Sequence, residues 1–204
     1  MNSIDGYCIR GENGGVLSHI SRAYHDLQDS SPIWGLKASS KASPGDHPWF
    51  GGERIDATAF GKSMCKAFVD NILSLPSGTR VGGFKEIRYH TLGEYLDRHL
   101  EFISHFFPNS RFIFNRRNLE SVARSGWWKE QDTKEVIRKL GAADLRFERY
   151  VSAHRGSSML MEYDDYKDDP AALKPLYNFI GEKFEYQTVS DVLKKKLTHL
   201  QSPH

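Results

Sequence analysis

Apolar residues recur along this chain at two different periods, and the switching between them predicts a mixed α/β fold. Val16, Leu17, Ile20, Tyr24 and Leu27 fall three or four residues apart, which predicts a helix beginning near Gly14 with one buried face. Phe60, Met64, Phe68 and Ile72 give a second such face, behind Asp56 as N-cap and ahead of a Leu-Pro-Ser-Gly breaker at 75–78. A third runs over 91–107 through Leu92, Tyr95, Leu96, Leu100, Ile103 and Phe106 or Phe107, and Pro108 with Asn109 stops it. Asp132 and Glu135 have capping-box spacing for a long helix to about His154, and Asp169 with Pro170 opens another that stops near Gly181. Between the helical stretches, the short runs 80–89, 111–114 and 158–163 are β-prone. The first two, separated by one helix, predict a βαβ unit with parallel strands. Residues 29–56 are rich in Ser, Pro and Gly around Trp34, Trp49 and Phe50, and read as a long loop of the functional or mobile kind. The tail 187–204, with Lys194, Lys195 and Lys196, reads as helical and solvated.

Composition narrows the function classes. A chain of 204 residues suits one α/β domain over 1–204, and a net charge of +2 gives no support to a nucleic-acid or membrane-surface role. None of the nine histidines falls in an HExxH or a close Cys/His cluster, so His19, His25, His99 and His105 read as helix-face residues and no metal is expected. Cys8 and Cys65 cannot build a disulfide framework, and no signal peptide or membrane-length apolar run is present. A reducing cytoplasm is the default expectation.

The candidate chemistry lies in 111–128, RFIFNRRNLESVARSGWW. Arg116 and Arg117 follow an apolar strand at its carboxyl end, where open α/β sheets bind ligands. Asn118 is a plausible N-cap for the next helix, whose first N–H groups favour an anion. A guanidinium there can hold a phosphate through two parallel hydrogen bonds, and Ser125, two turns into the helix, can add a neutral donor. Those pieces suit a phosphomonoester.

The eight-residue spacing of Arg117 and Ser125 across this junction resembles the 3′-phosphate-binding motif of sulfotransferases that use 3′-phosphoadenosine 5′-phosphosulfate (PAPS). The resemblance continues in YCIRGENGG at 7–15, GFKEIRY at 83–89 and MEYDDYKDDPAALKPLYNFIGEKF at 161–184, and covers most of the chain. It implies a three-layer P-loop-like parallel sheet flanked by helices, with PAPS as sulfuryl donor and a hydroxyl or amine on a small molecule, carbohydrate or peptide as acceptor. Arg117 and Ser125 would hold the 3′-phosphate, and Trp127 and Trp128 would line the pocket or stack on the adenine.

Glu12 lies in the block that looks like the segment supplying a catalytic glutamate in tyrosylprotein sulfotransferases, so it is the candidate general base, held near Arg10. A helix-start residue favoured by the dipole is the alternative for Glu12. Lys85 is the candidate to meet a donor or acceptor oxygen, with Glu86 and Arg88 on the opposite strand face as an ion pair or acceptor contact. The family's 5′-phosphosulfate loop and its strand have no counterpart here, and no GxxxxGK occurs, which speaks against a P-loop kinase. The expected fold is therefore N-terminally incomplete. A non-catalytic homologue that keeps only the 3′-phosphate half of the site is the alternative, with a homodimer through an exposed sheet edge as one consequence.

Overall fold

The computed structural model describes residues 1–39 and 41–195, a mixed α/β chain that is mostly helical and carries two small parallel sheets of two strands each. Among the described residues no helix is long and apolar enough to cross a membrane. The chain packs as two compact units, Met1–Arg88 with Glu94–Pro108, and Tyr89–Gly93 with the described part of Asn109–His204.

In the first unit, β1 (Tyr7–Arg10) leads through α1 (Val16–Gln28), α2 (Ser31–Ser39) and α3 (Ala57–Phe68) to β2 (Val81–Phe84), and α4 (Leu96–Phe106) follows. β1 and β2 are parallel, in register from Tyr7 opposite Val81 to Arg10 opposite Phe84. The face predicted for α1 is buried at Leu17, Ile20 and Tyr24, with Ser21 beside them, while Val16 is exposed and Leu27 half-buried. α4 buries Leu96, His99, Leu100, Phe102 and Ile103, and the rings of Tyr24, Phe102 and Phe106 pack at 4.8–5.3 Å between centroids. Tyr95 joins α4 to α1, its hydroxyl lying 2.8 Å from both Ser21 Oγ and His25 Nδ1.

Several expectations need correction here. Residues 29–56 are not one loop: they contain α2, which buries Ile33, and a short 3-10 turn at Gly52–Arg54. Pro32 in the first turn costs that helix nothing, because the first N–H groups have no intrahelical partner. α3 is capped by Asp56, whose Oδ1 accepts from Ala59 N at 2.9 Å; of its predicted stripe it buries Phe68, but Ala57, Gly61 and Cys65 are buried in place of Phe60 and Met64. A π-helical turn, Val69–Leu73, then adds one residue to the phase, so Leu73 turns inward while Ile72 stays exposed. The predicted helix over 91–107 starts only at Leu96, because Gly93 takes a φ of +56° that an α-helix cannot accommodate.

β2 is also shorter than the predicted 80–89. β1 ends at Arg10, whose carbonyl accepts Lys85 N at 2.9 Å; past that point the ladder has no strand to pair with, and the chain curls into a 3-10 turn at Arg88–Thr91. Two adjacent glycines make β2 fit closely: a Cβ on Gly82 would lie 2.4 Å from Leu75 Cδ1 and one on Gly83 would lie 3.1 Å from Ile9 Cδ1.

In the second unit, β3 (Phe112–Arg116), α5 (Leu119–Ala123), α6 (Thr133–Ala153) and β4 (Ser158–Glu162) form the βαβ element, followed by α7 (Tyr163–Tyr166), α8 (Lys174–Ile180) and α9 (Tyr186–Lys194). β3 and β4 are parallel from Phe112 opposite Ser158 to Arg116 opposite Glu162. The pairs found among the described residues are β1 with β2 and β3 with β4, so the parallel βαβ element is the one that runs from β3 to β4 and not the predicted one from 80–89 to 111–114. The alternation of β3 explains its partner: Phe112 and Phe114 point one way, onto Tyr150 and Phe147 of α6, the helix that leads directly into β4. Asp132 caps α6, its Oδ1 accepting from Glu135 N at 2.8 Å, and Asp169 caps the turn before α8 by accepting from Ala171 N at 2.9 Å. Gly181, at φ +78°, ends α8. Residues 196–204 of the predicted tail, Lys196 among them, lie outside the described residues.

Candidate functional site

The end of β3 separates two neighbouring arginines, because Arg116 is its last residue and Arg117 lies past it, before the N-cap of α5. Arg116 turns toward the sheet partner, where its guanidinium donates to Glu162, with Nε at 2.8 Å from Oε1, and also to Glu148 on α6. Burial works against the charge, but the two carboxylates outweigh it and hold Arg116 protonated more firmly than usual. Asp144, one turn before Glu148, joins the same group; burial raises its carboxyl to about 6, and the neighbouring Glu162 and Glu148 add to the shift while Arg116 opposes it. Arg116 is thus committed to structure. Arg117 is exposed, with its guanidinium 5.2 Å from the centre of the Tyr163 ring.

The junction after Arg117 is held from both sides. Asn118 caps α5, its Oδ1 accepting from Ser121 N at 3.0 Å, and its own N–H donates to Asp164 Oδ2 at 3.1 Å. Asp164 also binds Lys167 Nζ at 2.8 Å, and that bond, with the Asn118 N–H and the nearby Arg117, lowers its carboxyl below the usual range. Asp164 therefore acts on the Arg117 junction directly, from 46 residues away in the sequence.

Ser125 is not two turns inside a helix. α5 is only five residues long and ends at Ala123, and Ser125 beyond it is extended, at φ −116° and ψ 153°. Ser125 follows its last turn, with N and Oγ both donating to Val122 O at 2.9 Å. The hydroxyl has one proton, so its service as a donor to an anion requires that bond to break. Trp127 and Trp128 stack on each other at 4.3 Å and 28°, and Trp128 and His90 meet edge to face with centroids 5.3 Å apart. Trp127 keeps 51% of its surface exposed, enough to offer a ring face.

In the first unit, the turn after β1 and the turn after β2 lie together. Lys85 Nζ is 3.0 Å from Glu12 Oε1, with the lysine side chain 63% and the glutamate side chain 33% exposed. Glu86 Oε2 accepts from Gly15 N at 3.1 Å, and Oε1 accepts from Arg88 N at 2.9 Å. Glu86 therefore meets Arg88 at its backbone, and strand alternation does not govern 85–88, because β2 has already ended. Arg10 is not beside Glu12: its Nε donates to Leu73 O at 2.7 Å and its NH2 to Ser74 O at 2.6 Å. It caps the carbonyls at the end of the π turn that continues α3, which suits a cation at the negative end of a helix dipole.

Glu12 and Lys85 are thus brought together in one unit, and Arg117, Ser125, Trp127 and Trp128 belong to the other. Among the described residues no group of three or more His, Cys, Asp or Glu is placed to hold a metal. Cys65 is buried, which pushes its thiol up to about 11 and keeps it protonated. Comparison with family models, with curated proteins and with solved structures returned no match.

Proposed function

We propose that this chain has the PAPS-dependent sulfotransferase fold, a three-layer P-loop-like sheet flanked by helices, and transfers a sulfuryl group from PAPS to a hydroxyl or amine acceptor. The observation that carries the reading is the divergence of the two arginines: Arg116 is locked between Glu148 and Glu162, while Arg117 stands exposed at the strand end beside the capped start of α5. That is the arrangement a mobile phosphomonoester needs from a guanidinium. The exposed face of Trp127 supports an adenine stack.

In the transfer, the acceptor oxygen or nitrogen attacks sulfur, an O–S or N–S bond forms, and the bond from sulfur to the phosphate oxygen breaks to release adenosine 3′,5′-bisphosphate. Glu12 takes the acceptor proton, and Lys85 stabilises charge on the sulfuryl oxygens. The proposed setting is the cytoplasm. A specific observation also favours a non-catalytic nucleotide-binding homologue, because Glu12 is already neutralised by Lys85 at 3.0 Å and Ser125 already spends its proton on Val122 O. Such a protein would associate through a sheet edge.

Calorimetric titration with adenosine 3′,5′-bisphosphate, against 5′-AMP as control, tests both. Selective binding is expected, and Arg117→Ala should weaken it by about 2 kcal/mol, roughly thirtyfold, while affecting 5′-AMP little. Equal losses for the two nucleotides would remove Arg117 from the 3′-phosphate. Selective binding without sulfuryl transfer to any hydroxyl or amine would select the non-catalytic homologue.

A further inference from the structure

Within its own stretch of sequence the Gly11–Gly15 turn is tied at Gly15 O, which accepts from Ser18 N at 2.9 Å and from Ser18 Oγ at 2.7 Å. Gly14 and Gly15 are both left-handed, at φ +71° and +73°, and Gly15, as N-cap of α1, offers no side-chain cap. Asn13, a residue type that often satisfies such turns, does not do so here: both polar atoms of its amide are shielded from solvent and have no hydrogen-bond partner among the described residues. A turn with adjacent flexible glycines and an unsatisfied amide needs an external tie to keep one conformation.

Glu86 supplies that tie. One carboxylate oxygen accepts the Gly15 N–H at 3.1 Å and the other accepts the Arg88 N–H at 2.9 Å, so a single side chain bridges the turn after β1 and the turn after β2. Glu12 and Lys85 stand on those same two turns, one on each, and meet at 3.0 Å. The chain between Glu86 and Lys85 is one peptide long, and Lys85 N is itself fixed on Arg10 O at 2.9 Å. The side chains of Glu12 and Lys85 are both solvent-accessible, and an exposed ion pair does not by itself order two loops.

We propose that Glu86 is a positioning residue: by clamping the glycine turn to the end of β2 it sets the distance between Glu12 and Lys85. Its consequence for catalysis rests on the sulfotransferase reading, but the clamp is a property of the folded chain and can be measured without a substrate. A water-soluble carbodiimide couples a carboxylate to an amine in direct contact, so the purified full chain should yield a Glu12–Lys85 cross-link detectable by peptide mass spectrometry. Glu86→Ala should lower its yield about fivefold or more. Glu86→Gln, which keeps one acceptor oxygen and the shape of the side chain, should give an intermediate yield with an unchanged thermal midpoint. A Glu86→Gln yield equal to wild type overturns the clamp, whether or not Glu86→Ala folds, and so does an unchanged yield in folded Glu86→Ala. A Glu86-dependent cross-link together with turnover insensitive to Glu12→Gln would support the clamp and remove Glu12 from the chemistry.

Discussion

The carboxylate of Glu12 has one negative charge and two claims on it. In the described structure Lys85 takes it, at 3.0 Å, in a pair that is open to water and therefore cheap to break. An anionic sulfuryl group arriving beside Lys85 competes for the ammonium and releases the carboxylate to accept a proton, which makes the pair a resting state of the proposed chemistry. Glu12→Gln should then lower turnover about 100-fold or more while leaving affinity for adenosine 3′,5′-bisphosphate within about twofold, measured by steady-state transfer and by titration. A rate close to wild type would take Glu12 out of the mechanism. At this scale the sequence discloses what is local. Asp56, Asn118 and Asp132 were legible as caps because each satisfies an N–H three residues on. Arg10 was not, because its partners, Leu73 O and Ser74 O, are more than sixty residues away. Ser125 had a readable signal that was outweighed: Gly126, at a φ of +53°, follows it directly, and a left-handed glycine marks chain that has already left a helix.

Helix faces were legible where the helix is regular, as in α1, and misread where it is not. The apolar stripe of α3 assumed a constant period, whereas the π turn at Val69–Leu73 shifts the phase and moves the buried position from Ile72 to Leu73. Gly61 is the other feature that a period cannot show. It is buried on α3, and a Cβ there would stand 2.3 Å from Phe106 Cζ, so the glycine makes room for the aromatic ring of α4. That ring is hemmed in by Tyr24 at 5.1 Å and Phe102 at 4.8 Å between centroids. Gly61→Ala gains helix propensity, about 0.5–1 kcal/mol, but overpacking a confined ring costs about 1–3 kcal/mol. The net expectation is destabilisation by roughly 1 kcal/mol, read as a lower urea midpoint, and Phe106→Leu in the same chain should recover much of it. An unchanged midpoint for Gly61→Ala would show that Phe106 can swing aside. Strand pairing was the least legible element property, since nothing in 80–89 or 111–114 alone states that their partners are Tyr7–Arg10 and Ser158–Glu162.

Over the whole molecule, the two units carry titrating groups of opposite sense. In the first, His99 on α4 is 1% exposed; burial, aided by His25 and Arg22, lowers it to about 4. The native state therefore prefers neutral His99. Its contribution is complete above the unfolded value of about 6.5 and is lost as pH falls toward 4, a change on the order of 3 kcal/mol. In the second unit, Asp144 is raised to about 6, first by burial and then by Glu162 and Glu148 against the opposing Arg116. There the native state prefers the protonated carboxyl, so the contribution is complete below the unfolded value near 3.8 and is lost as pH rises through about 6. Between pH 6.5 and 4, acid should thus weaken the first unit through His99 while relieving the second through Asp144. Native-state hydrogen exchange followed amide by amide separates the effects: over that range, opening free energies in α4 should fall and those in α6 should be maintained or rise. His99→Leu should flatten the first profile and Asp144→Asn the second, each leaving the other in place because the two residues belong to different compact units. Parallel loss of protection in α4 and α6 in wild type, unaltered by either substitution, would place the acid response in groups other than these two.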